Sequence, residues 1–371
     1  MKTIPFIDLK AQYQALKGPI QAQINKVLEH GLFILGPEVE ELETKLAKFT
    51  GVKHAITCAS GTDAAVMAMM ALGVGPGDEV IMPAFSFVAT AETVVLVGAT
   101  PVYVDIDPKT YNLDVRQLER AITPKTKAIQ PVSLYGQAAD MESINAIAKR
   151  NNLFVIEDAA QSFGGTYKGK HSCGLSLVGV TSFFPAKPLG CYGDGGAAFT
   201  DDDKVAEAMR EVRVHGQKSR YYHTRIGING RLDTLQCAIL IPKLERFPWE
   251  LEQRNRVATR YNQAFRELES KSVVLPYVAK DCTSAWAQYT LQVPNRDAFQ
   301  KALQEKGVPT AVHYPRTMPD QPAYKELGRT LNIEVSRKMA DLVVSLPLYP
   351  DMTDDIQDYV IETVLKYFAK G

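Results

Sequence analysis

The chain has 371 residues, 46% hydrophobic and 23% charged, which is the balance of a globular protein with a substantial core. Basic and acidic residues both number 42, so the net charge is zero and no overall field favours nucleic acid or an anionic membrane. The N-terminus lacks signal-peptide features, the longest apolar stretch (93–104) is too short to span a bilayer, and five scattered cysteines without metal-site spacing favour a cytoplasmic protein.

Helix and strand signals alternate along the first two-thirds of the chain. Apolar strands that alternate with helices predict an α/β fold, in which helices cover both faces of a mostly parallel sheet. Ligands of such sheets bind at the carboxyl ends of the strands. In chain order the patterns predict a helix at 37–50, a strand at 54–58, a helix at 61–72, a strand at 78–83, a helix at 86–98, a strand at 100–107, a helix at 114–122, a strand at 127–136, a helix at 140–152, and strands at 153–158 and 177–184.

The pattern changes near residue 240. A long polar helix is predicted over 244–268, and it is followed by a strand at 286–294, a helix at 299–307 and a terminal helix that ends near Phe368. We therefore expect a large domain over 1–240 and a smaller α+β domain over 241–371.

Two carboxylates follow the predicted strand at 153–158. A carboxylate at the end of a buried strand is costly unless a cation or a hydrogen-bond donor meets it, so Glu157 or Asp158 is a candidate counter-charge for a ligand. An ordinary helix cap is the alternative for Asp158. Side chains alternate along a strand, so the two carboxylates lie on opposite faces, and the sequence does not say which one faces the ligand.

Two other strand ends carry complementary groups. Gly61 and Thr62 begin a helix directly after a strand, and the free amides of a helix N-terminus favour a phosphate. Lys187 follows the strand that ends at Ser182 and lies in the apolar stretch "SFFPAKPLG", where poor hydration lowers the pKa of an amine and makes it a nucleophile. A nucleophilic lysine, an anion site and a carboxylate together match the requirements of pyridoxal phosphate (PLP).

These residues resemble the DegT/DnrJ/EryC1/StrS family of sugar aminotransferases, which are fold type I PLP enzymes. The similarity extends over nearly the whole chain. It rests on the stretches "IPFIDLKAQY", "GLFILGPEVEELE", "ASGTDAA", "VIEDAAQSFG", "SFFPAKPLGCYGDGG", "GINGRLDTLQCAIL" and "AVHYP".

The resemblance implies a role for each residue around the cofactor ring. Lys187 is implied as the catalytic residue that forms the Schiff base with PLP, and Asp158 as the partner of the ring nitrogen. Gln161 is implied to bond the ring oxygen. Phe87 occupies the position where the family places an aromatic side chain against the cofactor face.

The resemblance also implies a shared phosphate site. Gly61, Thr62 and Ser182 are implied to hold the cofactor phosphate. Asn229, in "GINGRLD", corresponds to the residue that reaches this phosphate from a second subunit. The expected working unit is therefore a homodimer with active sites at its interface.

Within the family, the closest resemblance is to 3-aminotransferases that use a UDP-linked 3-keto-N-acetyl hexuronic acid for bacterial surface polysaccharides. L-glutamate is the amino donor implied by the resemblance. Phe33 stands where close members have tyrosine, and Ala186 stands where many have serine or threonine beside the lysine. The residues expected to bind substrate are Gly31, Phe33, Ala186, Arg231, His313 and Tyr314, with Arg231 as the candidate partner of the uronate carboxylate.

Other interpretations remain open. Arg231 and Asp233 have a spacing that also suits an ion pair between them. A neutral 6-deoxy keto-sugar nucleotide is the alternative acceptor. A related sugar dehydratase is disfavoured because those relatives carry histidine in place of the lysine. A PLP-binding regulatory protein would need a DNA-binding or partner module, and the sequence offers no basic helix-turn-helix segment.

Overall fold

The computed structural model describes residues 4–369. The predicted helices appear in the expected order, and three helices that were not predicted, Leu9–His30, Asp203–Arg213 and Glu334–Leu342, add to them. Short 3₁₀ turns occupy Val115–Gln117, Leu134–Gly136 and Arg266–Lys271. The helices are α1 (Leu9–His30), α2 (Pro37–Thr50), α3 (Gly61–Ala71), α4 (Ala89–Leu96), α5 (Leu118–Ala121), α6 (Met141–Arg150), α7 (Asp203–Arg213), α8 (Thr234–Phe265), α9 (Arg296–Glu305), α10 (Glu334–Leu342) and α11 (Asp354–Ala369).

The strands build one large sheet and several small ones. They are β1 (His54–Cys58), β2 (Glu79–Pro83), β3 (Thr100–Val104), β4 (Thr126–Ile129), β5 (Phe154–Asp158), β6 (Thr166–Tyr167), β7 (Lys170–His171), β8 (Val178–Ser182), β9 (Gly196–Thr200), β10 (Gln217–Ser219), β11 (Tyr222–His223), β12 (Cys282–Thr283), β13 (Tyr289–Gln292), β14 (Arg329–Thr330) and β15 (Val343–Leu346). The large sheet has the order β1-β9-β8-β5-β4-β2-β3-β14.

The large sheet confirms the predicted α/β fold class and adds one reversal. Neighbouring strands from β8 to β14 pair in parallel, whereas β9 is antiparallel to both β1 and β8. Helices α3, α4 and α7 pack on one face, and α2, α5, α6 and α8 pack on the other. The strand predicted over 127–136 is shorter, because β4 ends at Ile129 and the chain then passes through Pro131. A proline cannot donate to a strand ladder.

The chain beyond β9 contains a second apolar core. β13 and β15 form an antiparallel pair, and the core beside them draws its residues largely from the second half of α8, from α9 and from α11. The boundary expected at residue 240 falls inside α8, which begins at Thr234 and continues from one core to the other. The division into two domains stays a prediction. Among residues 4–369, no helix has both the length and the apolar character needed to cross a membrane.

Candidate active site

A cavity of about 610 Å³ opens at the carboxyl ends of β5 and β8. This is the edge of a parallel sheet where ligands are expected. The cavity brings together ten of the predicted site residues: Gly61, Thr62, Phe87, Asp158, Gln161, Ser182, Ala186, Lys187, His313 and Tyr314. The other four, Gly31, Phe33, Asn229 and Arg231, do not line the cavity in this protomer.

Asp158, and not Glu157, is the carboxylate that faces the cavity. Its Oδ1 accepts a hydrogen bond from the Ala160 amide at 3.1 Å, and its Oδ2 accepts one from Thr90 Oγ1 at 3.2 Å. Glu157 is on the opposite face of β5, where its Oε2 accepts from the Cys173 amide at 3.0 Å, and burial raises its pKa to about 8. The strand alternation therefore assigns the ligand-facing position to Asp158.

Lys187 lies opposite Asp158 on the loop that follows β8. Its amide donates to the Phe184 carbonyl at 2.9 Å, which closes a turn, and its side chain faces the cavity. Among residues 4–369 the ammonium group has no hydrogen-bond or ion-pair partner within contact distance. Burial lowers the pKa of Lys187, and the negative charge of Asp158 partly opposes this effect. A lysine in this setting has the amine reactivity that covalent catalysis requires.

The N-terminus of α3 forms an anion site with β8. Ser60 caps the helix by accepting a hydrogen bond from the Asp63 amide, while the amides of Gly61 and Thr62 have no acceptor within the described chain. Ser182 packs directly against Gly61, since a Cβ atom added at Gly61 would lie 2.7 Å from the Ser182 Cβ. The absence of a side chain at residue 61 therefore allows the serine hydroxyl to reach the end of the helix.

This close approach predicts the effect of a Gly61→Ala substitution. The new methyl group would displace Ser182 and separate its hydroxyl from the helix amides. We expect roughly tenfold weaker binding of pyridoxamine phosphate, the loss of about one hydrogen bond to a charged group. Titration calorimetry on the apoprotein measures this affinity. A Gly18→Ala control adds the same methyl group at a glycine of α1 that has no atom near its Cβ position and no left-handed φ. Unchanged binding by Gly61→Ala would contradict this account.

The remaining wall carries the aromatic and amide groups. Phe87 lies 5.9 Å from the Tyr314 ring, centroid to centroid. Gln161 accepts from the Tyr135 amide at 2.9 Å and donates through Nε2 to the Tyr314 hydroxyl at 3.0 Å, which leaves its second amide hydrogen for a ligand. His313 Nδ1 lies 3.1 Å from Ser345 Oγ, and burial together with Lys187 lowers the pKa of His313 to about 4. His313 is therefore neutral at pH 7.

The four predicted residues outside the cavity lie on two adjoining segments. Ile34 pairs with Asp233 in an isolated antiparallel bridge, and the Thr234 amide donates to the Phe33 carbonyl at 3.0 Å. Gly31 ends α1 with a left-handed φ of 68°, which turns the chain into this contact. The two segments, 31–35 and 229–234, therefore form one surface that carries all four residues.

Arg231 makes none of the contacts that the alternative interpretation requires. Within residues 4–369 it has no ion pair with Asp233, and its Nε atom is buried without a hydrogen-bond partner. A buried guanidinium nitrogen without a partner is unfavourable, so Arg231 is available to an anion.

Several cavity residues were missed by the sequence analysis. They are Phe6, Ile7, Ala65, Ser86, Ala89, Thr90, Thr93, Gln130, Val132, Ala160, Phe184, Asp194, Ala287, Gln288 and Ala311. A signal existed for two of them, because Ser86 and Thr90 are hydroxyl residues four apart at the start of a helix. The others come from separate parts of the chain and lack a local pattern.

The residues present fit pyridoxal phosphate. A partly buried lysine that has no hydrogen-bond partner among residues 4–369 faces a carboxylate across the cavity, and the free amides of Gly61 and Thr62 lie beside a serine hydroxyl at the cavity edge. An amine nucleophile, a counter-charge for a ring cation and a phosphate site are the three elements that this cofactor needs.

Comparison with known proteins agrees with this geometry. The model of the DegT/DnrJ/EryC1/StrS aminotransferase family matches residues 14–365. The chain is 57% identical to the UDP-2-acetamido-2-deoxy-3-oxo-D-glucuronate aminotransferase of Pseudomonas aeruginosa, covering 94% of this chain and 95% of that protein. The crystal structure of a DegT DnrJ EryC1 StrS aminotransferase from Brucella abortus is 45% identical, with a TM-score of 0.95 and coverage of 98% and 99% of the two chains. The NtdA structure from Bacillus subtilis, solved with bound cofactor PMP, is 34% identical, with a TM-score of 0.91 and coverage of 100% of this chain and 85% of that chain. The chain therefore belongs to the DegT/DnrJ/EryC1/StrS aminotransferase family and is a PLP-dependent enzyme.

Proposed function

We propose that the protein transfers an amino group from L-glutamate to C3 of a UDP-linked 3-keto-N-acetyl hexuronic acid, on a route to a bacterial surface polysaccharide. The relative from Pseudomonas aeruginosa is named for a UDP-linked 3-oxo glucuronate, and the similarity spans almost both chains. The observation in this chain that carries the acidic part of the proposal is the unpaired guanidinium of Arg231.

Each group in the cavity has a task in this reaction. PLP, when bound, supplies the electron sink that stabilises negative charge at the amino-bearing carbon. Lys187 would supply the amine that holds the cofactor and would move a proton between the donor carbon and the cofactor carbon as general acid and base. Asp158 would keep the ring nitrogen protonated. The α3 N-terminus and Ser182 would hold the phosphate.

Arg231 suits a carboxylate better than a hydroxymethyl group. A guanidinium forms two parallel hydrogen bonds with a carboxylate, and the planar arrangement fixes the orientation of the sugar. A neutral C6 group offers no charge to pair with the guanidinium of Arg231, whose Nε atom is buried without a hydrogen-bond partner. Arg231 therefore stabilises a bound uronate more than a bound 6-deoxy sugar.

We further propose a homodimer in which the surface of segments 31–35 and 229–234 meets the cavity of the second subunit. Four consecutive residues of the first segment are exposed large hydrophobics, and Phe33 is 47% exposed. Contiguous apolar surface of this kind marks a contact with another protein. A second copy of the chain would cover it and would bring Asn229 and Arg231 to a cavity that already holds the cofactor residues.

We make two further proposals, one about the cellular compartment and one about the domain boundary. Five free cysteines, four of them buried, are consistent with a reducing compartment, and we propose the cytoplasm. We also propose that the boundary between a large cofactor-binding domain (1–240) and a smaller domain (241–371) lies within α8, because each part has its own apolar core.

One observation favours the alternative acceptor. Lys187 is the only lysine or arginine among the described residues that line the cavity, so one protomer alone offers no fixed cation for a carboxylate. A neutral 6-deoxy keto-sugar nucleotide would suit that cavity. The two proposals therefore differ in whether Arg231 contributes to acceptor binding.

Arg231→Ala separates the two acceptors. We expect it to cost about 2–5 kcal/mol in kcat/KM for the uronate, because the carboxylate loses a bidentate partner in a desolvated site. Formation of the amine cofactor from L-glutamate, followed by stopped-flow absorbance, should change little. Arg225→Ala is a matched control, since Arg225 pairs with Glu211 on the same part of the chain. Equal or better turnover of the neutral keto-sugar by the unmodified protein would overturn the uronate assignment.

A further inference from the structure

A chain of hydroxyl groups leads from α4 to Asp158. Thr90 Oγ1, in the first turn of α4, lies 3.2 Å from Asp158 Oδ2, and Ser86 Oγ lies 3.2 Å from Thr90 Oγ1. Thr90 and Ser86 are 1% and 4% exposed, so bulk water does not replace either contact. Both residues line the cavity beside Asp158.

The direction of these two hydrogen bonds follows from the number of protons that each hydroxyl group carries. A threonine hydroxyl has a single proton, and a carboxylate only accepts, so Thr90 must donate to Asp158. Thr90 Oγ1 is then an acceptor, and Ser86 must donate to it. Hydrogen bonds aligned in one direction polarise each other, which strengthens the bond that reaches the carboxylate.

The Asp158 carboxylate is under opposing influences. Burial favours the neutral acid and raises its pKa, whereas the Ala160 amide, the charge of Lys187 and the Thr90 hydroxyl favour the ionised form. The amide occupies one carboxylate oxygen and Thr90 the other, so the group is fixed at both ends. Without Thr90, the Asp158 carboxylate would keep the Ala160 amide as its hydrogen-bond donor on one oxygen but lose the donor on the other, and burial would then favour the protonated form more strongly.

We propose that Thr90, supported by Ser86, is a positioning residue that keeps Asp158 ionised and oriented for the ring nitrogen of the cofactor. The proposal rests on the role proposed above for Asp158. Thr90 acts only through that carboxylate, so its contribution should exist only for ligands that carry the ring nitrogen. A purely structural contribution would affect every ligand of the cavity alike.

This distinction allows a test without turnover. Apoprotein is titrated with pyridoxamine phosphate and with its 1-deaza analogue, in which a C–H group replaces the ring nitrogen, and the ratio of the two Kd values is the readout. Neither ligand can react with the Lys187 amine. We expect Thr90→Val to reduce the preference for the nitrogen-bearing ligand about tenfold, which is the loss of one hydrogen bond to a charged group.

Related variants sharpen the comparison. Thr90→Ser retains the hydroxyl and should restore most of the preference, and Ser86→Ala should reduce it by a smaller factor. Thr200→Val is the matched control, because Thr200 is an equally buried threonine outside the cavity whose hydroxyl donates to the Leu177 carbonyl. Asp158→Asn defines complete loss of the preference.

The outcomes distinguish the role proposed for Thr90 from the role of Asp158 on which it depends. A wild-type ratio in Thr90→Val, together with a lost preference in Asp158→Asn, would overturn the role of Thr90 alone. A wild-type ratio in Asp158→Asn would overturn the role of Asp158, and with it the role of Thr90. Equal weakening of both ligands by Thr90→Val would show a structural effect and would also reject the proposal. If Thr90→Val does not fold, the Ser86→Ala ratio decides: a reduced preference supports the proposal, and a wild-type ratio rejects it.

Discussion

Lys187→Ala is expected to lower transamination by more than about 10³-fold, the largest effect of any substitution proposed for this protein. The change removes the amine that would hold the cofactor. The same amine would move the proton between the amino-bearing carbon of the donor and the cofactor carbon. The purified protein should be yellow, and the variant should lack the visible absorbance of lysine-linked cofactor. Absorbance spectra with and without L-glutamate measure both properties.

The fold should survive this substitution. Lys187 has no polar partner within the described chain, and both oxygens of Asp158 keep their donors from Ala160 and Thr90. Removing a poorly solvated amine therefore leaves no buried group newly unpaired. We expect a melting temperature of the apoprotein equal to or slightly above that of the unmodified protein. Full transaminase activity in Lys187→Ala would reject the assignment of the active site.

The sheet could be predicted from the sequence because its strands are short apolar runs between helical patterns. The reversed strand β9 was not predicted, since "GAAFT" reads as a loop of small residues. Its position explains the composition: Gly196 has room only for hydrogen next to the Ser60 carbonyl. Such a strand is defined by the close approach of its neighbours, and no periodicity in its own sequence reveals this.

The helix α1 was missed for a different reason. It contains Pro19 and exposes most of its side chains, so the apolar spacing that identifies a buried helix is weak. Of its residues, only Gln12, Leu16, Ile20 and Val27 are buried. Tertiary contact with α8 stabilises α1, and the spacing of residues within one segment does not predict contacts between distant segments.

The residues of the candidate site also differ in whether a local sequence pattern reveals them. Lys187, Gly61 and the two carboxylates Glu157 and Asp158 were candidates because each lies at or just after the end of a strand, and only the resemblance to the aminotransferase family favoured Asp158 over Glu157. The contribution of Thr90 became visible only from its distance to Asp158. Arg231 shows a further limit, because its spacing suggested an ion pair with Asp233 that the folded chain does not form.

Asn229 provides the most direct test of a shared active site. It lies outside the cavity of its own protomer, where its backbone pairs with Val214 in an isolated antiparallel bridge. If Asn229 serves the cavity of the second subunit, an Asn229→Ala chain still carries an intact set of cavity residues. A Lys187→Ala chain likewise still carries an intact Asn229.

Mixing the two inactive variants under conditions that exchange subunits should therefore restore activity. Each hybrid dimer contains one site with both residues, so random exchange of equal amounts should recover about a quarter of the unmodified activity. If Asn229 served its own protomer, both sites of the hybrid would stay defective. Hybrids of Lys187→Ala with Asp158→Asn are the matched control and should stay inactive, because both residues line the same cavity. Native mass spectrometry confirms hybrid formation, and confirmed hybrids of the first pair without activity would reject the shared site.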